Sequence, residues 1–390
     1  MKKICVITAT RAEYGLLYPL LKEIDMAEEL ELQLVVSGTH LSSGYGSTKQ
    51  EIVEDGFQDF DEIDILTDNV GQENGVVSQI MATAISQFAS YLTKNRPDLA
   101  VILGDRYEMM AFAIALVNAR VPIAHISGGA VTGGSLDEIY RHCITKMSNL
   151  HFVNCESHKK RIIQLGEPHQ RVFNVGDLCV DNIKNTVLLT KEQLEPEIGI
   201  NFDTAKIILV TFHPVTMEDN SLEQLENMLK VIEKKREYFY IFTKANSDRD
   251  GIKINQRISE FAKQHKNCRL IDSLGRVRYL SILQYVSVVM GNSSSGLYEV
   301  PYFHIPTINI GNRQKGRLHG ETVIDCHWTE KEINEAFEKA MSTEFRGMCR
   351  TEESFFGNGD TAQKIVYIIK KNLEKGIDIK KTFFDVNFEL

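Results

Sequence analysis

The sequence predicts an α/β protein of two doubly wound parallel-sheet domains facing each other across a cleft, and three observations carry that expectation. The chain has 390 residues, more than one typical hydrophobic core organises and enough for two domains of under about 200 residues each. Short runs rich in Val and Ile alternate with amphipathic stretches along nearly the whole chain. The alternation then restarts after the polar segment 181–203, which carries Pro196 and Gly199 near its middle.

In the first series the runs 3–8, 32–37, 99–103, 122–126, 151–154 and 172–175 read as buried strands, with a helix-like stretch between each and the next. Their apolar residues run on rather than alternating with polar ones, as in strands covered by helices on both faces. The second series comprises 207–212, 238–243, 268–271, 286–290, 306–310 and 322–324. The expected boundaries are 1–184 for the first domain, 185–375 for the second and 376–390 for a tail. The stretch 361–374 carries Ile365, Ile368, Ile369 and Leu373 at helical spacing, so it has an apolar face to bury on a domain surface, bridging back to the first domain.

Hydrophobic and charged residues make up 43% and 25% of the chain, which excludes disordered and fibrous classes. No apolar run approaches the roughly 20 residues that span a bilayer, and the lysines at the start precede no secretory h-region. The seven cysteines include no CxxC pair, a pattern of reduced thiols rather than of a disulfide framework or a cysteine zinc site. A net charge of −9 lowers the case for nucleic acid as a partner. A cytoplasmic, globular protein without a membrane partner is expected.

In an open parallel sheet ligands bind beyond the carboxyl ends of the strands, and five loops there have unusual chemistry. Thr10-Arg11-Ala12-Glu13-Tyr14-Gly15 puts the cation Arg11 at a helix start, where it either helps to hold an anion or pairs with Glu13 on the surface. Gly104-Asp105-Arg106-Tyr107-Glu108 places three ionisable groups directly after a strand, more than a helix cap requires. The loop from His125 to Ser135 is glycine-rich, and the acids Asp137 and Glu138 then open a helix. Asp137 and Arg141 lie four apart, so they share a helical face as a surface ion pair or as an acid and a base presented to a ligand. His142 beside them reads as packed or solvent-facing.

In the second series His213, ahead of Pro214, ends a strand where an imidazole can bind a charged group or work as acid or base. Gly291-Asn292-Ser293-Ser294-Ser295-Gly296 exposes small residues and backbone N–H groups to an anion, without the Gly-Lys-Ser/Thr ending of a P-loop. Glu299 follows at a distance suited to ribose hydroxyls, and a basic loop, Arg313-Gln314-Lys315-Gly316-Arg317, follows the next strand. Together these features read as a nucleoside-diphosphate pocket.

The chain resembles the hydrolysing UDP-N-acetylglucosamine 2-epimerases over nearly its whole length. The resemblance is carried by 10–15, 104–108, Arg141-His142 with 144–148, His213-Pro214-Val215-Thr216, 291–296 and 313–317. Each motif alone is weak, but six in order are specific. The resemblance implies a GT-B architecture of two Rossmann-like domains, the first on the sugar and catalytic side and the second binding UDP. It implies that a base removes the C2 proton as UDP leaves C1, that water adds to the resulting 2-acetamidoglycal, and that a proton returns on the other face. UDP-N-acetylglucosamine would then give N-acetylmannosamine and UDP, as sialic-acid-type pathways use. No metal and no cofactor are implied.

By matching position, Arg11, Ser293, Ser294 and Arg313 would hold the diphosphate, with Asn292 in the same nest, Glu299 the ribose, and Asn246 the sugar or phosphate side. Asp105, Asp137 and His213 match catalytic positions, Arg106 and Arg141 are supporting cations, and Glu138 is a further acid; Asp105 is the favoured base. The family usually carries a carboxylate at the position of Ser127, of Ala130 or of both, and this chain has neither. The same chemistry on UDP-2,4-diacetamido-2,4,6-trideoxyglucose, for legionaminic acid, is the nearest alternative; a non-hydrolysing epimerase, a GT-B glycosyltransferase and a nucleotide-sugar sensor are more distant. A homodimer or homotetramer is expected.

Overall fold

The computed structural model describes residues 1–42, 48–66, 75–132, 136–215, 220–245, 251–271, 274–352 and 355–387. The chain divides into two units, residues 1–184 with 356–390, and residues 185–355.

The first unit is built on seven parallel strands: β1 (Lys2–Thr8), β2 (Leu30–Ser37), β3 (Asp61–Ile63), β4 (Leu99–Leu103), β5 (Ile123–Ile126), β6 (Leu150–Val153) and β7 (Val172–Asn174). Their order across the sheet is β3-β2-β1-β4-β5-β6-β7. Side chains alternate between the two faces with period two. Ile4 and Val6 therefore join one core with Leu17, Leu20 and Ile24, while Cys5 and Ile7 join another with Phe88 and Phe112. Both faces are covered, which is why β1 reads as an unbroken apolar run. β3 was not expected: it is a three-residue edge strand, two of whose residues are acidic, so no hydrophobic pattern announces it.

The second unit holds six parallel strands, β8 (Ile207–Thr211), β9 (Phe239–Thr243), β10 (Cys268–Ile271), β11 (Val286–Gly291), β12 (Thr307–Ile310) and β13 (Val323–Cys326). Their order is β10-β9-β8-β11-β12-β13. A core of Ile208, Val210, Tyr240, Phe242, Val288, Met290, Ile308 and Ile310 lies on one face under the helices Ser221–Lys234 and Glu330–Met341. Among the described residues no helix is long and apolar enough to cross a membrane.

The helix Thr361–Lys375 corrects the expected boundary at 375, because it belongs to the first unit. Its Ile365 and Ile369 complete the core beside Leu20 and Ile24. Asp181, which composition placed in the linker, is 2% exposed. Its carboxylate accepts the Thr361 and Ala362 N–H groups at 3.1 and 2.8 Å, satisfying donors that a helix start leaves open. The tail to residue 387 stays with the same unit.

Asp181→Ala is expected to lower the unfolding free energy by about 2 kcal/mol, since two buried N–H groups lose their acceptor. Urea unfolding checks this, with Asp181→Asn recovering part of the loss.

Candidate functional site

In each sheet the strand order reverses at one place, between β1 and β4 in the first unit and between β8 and β11 in the second. The chain leaves neighbouring strands in opposite directions there, opening a crevice at their carboxyl ends. The chemically unusual loops gather at these two reversals.

In the first unit, β1 runs into a helix over Arg11–Asp25 whose start is closed by a capping box: Thr10 Oγ1 accepts from Glu13 N–H, and the Glu13 carboxylate accepts from Thr10 N–H at 3.1 Å and Ala9 N–H at 2.9 Å. Glu13 is buried, and burial pushes its carboxyl up to about 7. Arg11 therefore does not pair with Glu13. It stands exposed against Glu51, Nε to carboxylate 3.0 Å.

Across the reversal, β4 runs into Gly104, whose φ of +82° suits only glycine without strain. Asp105 follows, and its carboxylate meets the guanidinium of Arg141, which projects from the helix Leu136–Met147. Arg141 is 4% exposed, so this is a buried pairing and not the surface pair that its spacing from Asp137 also allowed. The same guanidinium donates to Glu138 at 2.8 Å, Ala130 O at 3.1 Å and Thr132 Oγ1 at 2.8 Å. Glu138 closes the loop by accepting Thr132 N–H at 2.6 Å and faces His142 Nε2 at 3.0 Å. Burial opposes the charge on Glu138, but the donors Thr132 N–H and His142, with Arg141, hold its carboxyl below the usual range. Arg106 points elsewhere and forms a two-pronged pair with buried Glu108, both contacts 3.1 Å. Asp137 is half-buried on the first turn of the same helix.

Sequence reasoning passed over His125 as a working part. It is fully buried on β5, and Nε2 lies 2.7 Å from Gly104 O, a pure acceptor, so Nε2 carries the proton. Nδ1 faces Thr145 Oγ1 at 3.2 Å, on the site helix. His125 thus braces the peptide before Asp105 against the helix that carries Arg141. Burial drives its pKa down to about 3, leaving a neutral imidazole at physiological pH.

In the second unit Gly291 ends β11 with φ +137°, and a Cβ there would lie 1.9 Å from Thr211 O; only glycine lets β11 approach β8 so closely. Asn292 is fully buried. Its amide receives the His213 N–H at 2.7 Å and donates to His213 O at 2.8 Å, as a neighbouring strand would. Asn292 is therefore placed as a clamp between the two loops, with its side-chain amide bonded to the His213 backbone. Its own carbonyl takes Arg313 Nη1 at 3.1 Å and Gln314 Nε2 at 2.8 Å, which draws the basic loop to the nest. Ser293 and Ser294 are half-buried at the start of a four-residue helix, Ser295–Tyr298, and Glu299 is its C-cap. Tyr279 supports the turn through Ser295 Oγ at 2.6 Å. His213, Asn292, Ser293, Ser294, Glu299 and Arg313 thus meet at one reversal; Asn246 and Thr216 lie outside the described residues. Among the described residues no group of His, Cys, Asp and Glu is arranged as a metal site would be.

Residues 22–370 match the family described as UDP-N-acetylglucosamine 2-epimerase. Over 387 residues the chain is 38% identical to the GDP/UDP-N,N'-diacetylbacillosamine 2-epimerase (hydrolyzing) of Campylobacter jejuni, covering 99% of both chains. It is 34% identical to the polysialic acid biosynthesis protein P7 of Escherichia coli, over 99% of this chain and 98% of that one. Among solved structures, the UDP-GlcNAc 2-epimerase of Neisseria meningitidis bound to UDP-GlcNAc superposes with a TM-score of 0.80 at 18% identity, covering 95% of this chain and all of that one. The fold is accordingly of the GT-B kind.

The depressed pKa of His125 makes stability pH-dependent. Above the unfolded value, near 6.5, the residue is neutral in both states; as pH falls from there toward 3 only the unfolded chain takes up the proton, so its contribution to stability is lost. Between pH 7 and pH 5 the His125 share of that loss is about 2 kcal/mol. Urea unfolding at both pH values should show a correspondingly smaller pH dependence for His125→Gln than for the wild type.

Proposed function

Because the chain belongs to the UDP-N-acetylglucosamine 2-epimerase family, we propose that it is a hydrolysing 2-epimerase, cleaving a UDP-linked 2-acetamido sugar and releasing the free sugar with C2 inverted. The observation that carries this reading is the buried Arg141 holding Asp105 and Glu138 at the strand-order reversal of the first unit. A proton at C2 is weakly acidic, and its removal needs a fixed carboxylate or imidazole. Departure of UDP needs cations and amide donors where charge develops. The carboxylates held by Arg141 would serve the first need, and the 291–296 turn with Arg313 the second.

In the proposed reaction a carboxylate, Asp105, takes the C2 proton while the C1–O bond breaks and its electron pair leaves with UDP, forming the C1–C2 double bond of a 2-acetamidoglycal. Water then adds at C1 and a proton returns to C2 from the opposite face, with Asp137, Glu138 and His213 as the acids and bases of this half. Arg11, Ser293, Ser294 and Arg313 receive the diphosphate, Glu299 the ribose, Asn246 the sugar side, and Arg106 and Arg141 supply supporting charge. The overall change is redox-neutral and requires no hydride carrier. Two sugars suit it: UDP-N-acetylglucosamine, which the family description names, and UDP-N,N'-diacetylbacillosamine, which the 38% identity to the Campylobacter protein favours. Legionaminic or sialic acid synthesis would be the corresponding setting, in the cytoplasm, with a homodimer or homotetramer as the assembly.

Each UDP-sugar incubated separately in D₂O and followed by NMR tests the proposal. Free UDP and a C2-inverted sugar carrying deuterium at C2 are expected, at the higher rate from the diacetylbacillosamine substrate; an inverted sugar still attached to UDP, or no reaction with either, would refute it. Asp105→Asn should lose turnover by at least about 100-fold while binding UDP nearly as the wild type does in calorimetry. A near-normal rate would remove Asp105 as the base.

A further inference from the structure

The C-terminal end of the site helix Leu136–Met147 is closed from two directions. Ser148 supplies the local part, its hydroxyl to Ile144 O at 2.7 Å and its N–H to Thr145 O at 3.1 Å. The carbonyls of Lys146 and Ser148 are instead met by Lys381, whose Nζ lies 2.8 and 2.5 Å away. That lysine comes from the tail, more than 230 residues later in the chain. Its third contact is the Glu167 carboxylate at 2.8 Å. An ammonium has three N–H donors, and all three are engaged.

Glu167 is fully buried and also receives Lys146 Nζ at 2.6 Å and His151 Nε2 at 3.1 Å. Burial opposes its charge, yet the hydrogen bonds from His151, Lys146 and Lys381 pull its pKa down to about 2, so it stays ionised. The adjoining tail is seated as well. Phe384 N–H donates to Gly166 O at 2.9 Å. The Phe383 ring fills the space a Cβ on Gly166 would need, 2.5 Å away, and stacks with Lys146 Nζ at 4.9 Å from its centre. The tail is therefore built into the first unit at the end of the site helix.

We propose that Lys381 is a positioning residue for the site, setting the place of Glu138 and Arg141 against Asp105 by capping the helix that carries them. A cation at a helix C-terminus is favoured by the dipole and satisfies carbonyls that have no intrahelical partner. Arg141 lies five residues before Lys146, about 8 Å along a helix axis, so a slip at the capped end is passed directly to the guanidinium. A misplacement of about 1 Å can cost on the order of 100-fold in rate. The kinetic part of this proposal rests on the function proposed above; the structural part does not.

The test uses the full chain with Lys381→Met, which keeps the stem and removes the charge and donors, and Lys381→Arg, which keeps both. Lys381→Gln, retaining two amide donors, serves if the methionine variant does not fold. For Lys381→Met, amide hydrogen exchange should accelerate selectively in 137–148, kcat with the preferred UDP-sugar should fall about tenfold with KM within about threefold, and Lys381→Arg should restore both. Unchanged exchange in 137–148 would overturn the proposal, as would exchange accelerated equally throughout the first unit, or wild-type kcat despite altered exchange. If the wild type turns over neither UDP-sugar, the function proposed above fails alone, and the exchange experiment still decides the role of Lys381.

Discussion

A guanidinium removed from water has to be surrounded by acceptors, and the first unit is organised around that requirement at Arg141. Taking the charge out of solvent costs several kcal/mol unless carboxylates and carbonyls replace the lost water. Asp105, Glu138, Ala130 O and Thr132 Oγ1 do so, and they come from three parts of the chain. The end of β4, the loop after β5 and the first turns of the helix are thereby fixed to one another. Two carboxylates against one guanidinium leave a negative charge in the cluster, which suits removal of a proton better than binding of an anion. His125, kept neutral by burial, adds a brace without adding a competing cation.

The second unit meets a different demand with different chemistry. Its crevice is organised by Asn292, a neutral side chain that replaces a missing stretch of sheet between His213 and the nest. Neutral bonds can be buried there without a desolvation penalty as large as that of a charge, and the Asn292 carbonyl draws in the Arg313 guanidinium and the Gln314 amide.

The strands that carry these loops were legible because burial on both faces leaves an unbroken apolar run, as in Ile207–Thr211. Their carboxyl ends were legible because ionisable residues and glycines collect there. What could not be read was which partner each polar group takes. Arg11 could have paired with Glu13, two positions along the chain, but Glu13 is committed to capping, and the partner Arg11 takes, Glu51, lies on a separate helix. Asn292 sits in a motif that reads as ligand-binding, and no pattern of residues tells that its amide faces inward. The amphipathic face of 361–374 showed that something must cover it and pointed back to the first domain; the packing of Ile365 and Ile369 beside Leu20 and Ile24, with the N–H groups of Thr361 and Ala362 donated to Asp181, identifies the first unit as its host. A lysine in a polar tail reads as solvated, so Lys381 carried no signal at all.

The loop 125–130 brings these threads together. The resemblance noted in the sequence leads one to expect a carboxylate at Ser127 or Ala130, and its absence left a gap in the acid–base assignment. Ser127 has a φ of +64°, a conformation that turns the chain sharply, and the Ala130 carbonyl is spent on Arg141. The nearest carboxylate reaches this loop from the helix instead: Glu138 binds Thr132 N–H and the same guanidinium. Its oxygens are tied by Thr132, Arg141 and His142, so its geometry is fixed even though it stands on the far side of the glycine-rich segment in sequence. A site can lose an acidic side chain from a loop without losing its negative charge when a buried cation keeps other carboxylates in place, and here that cation is Arg141.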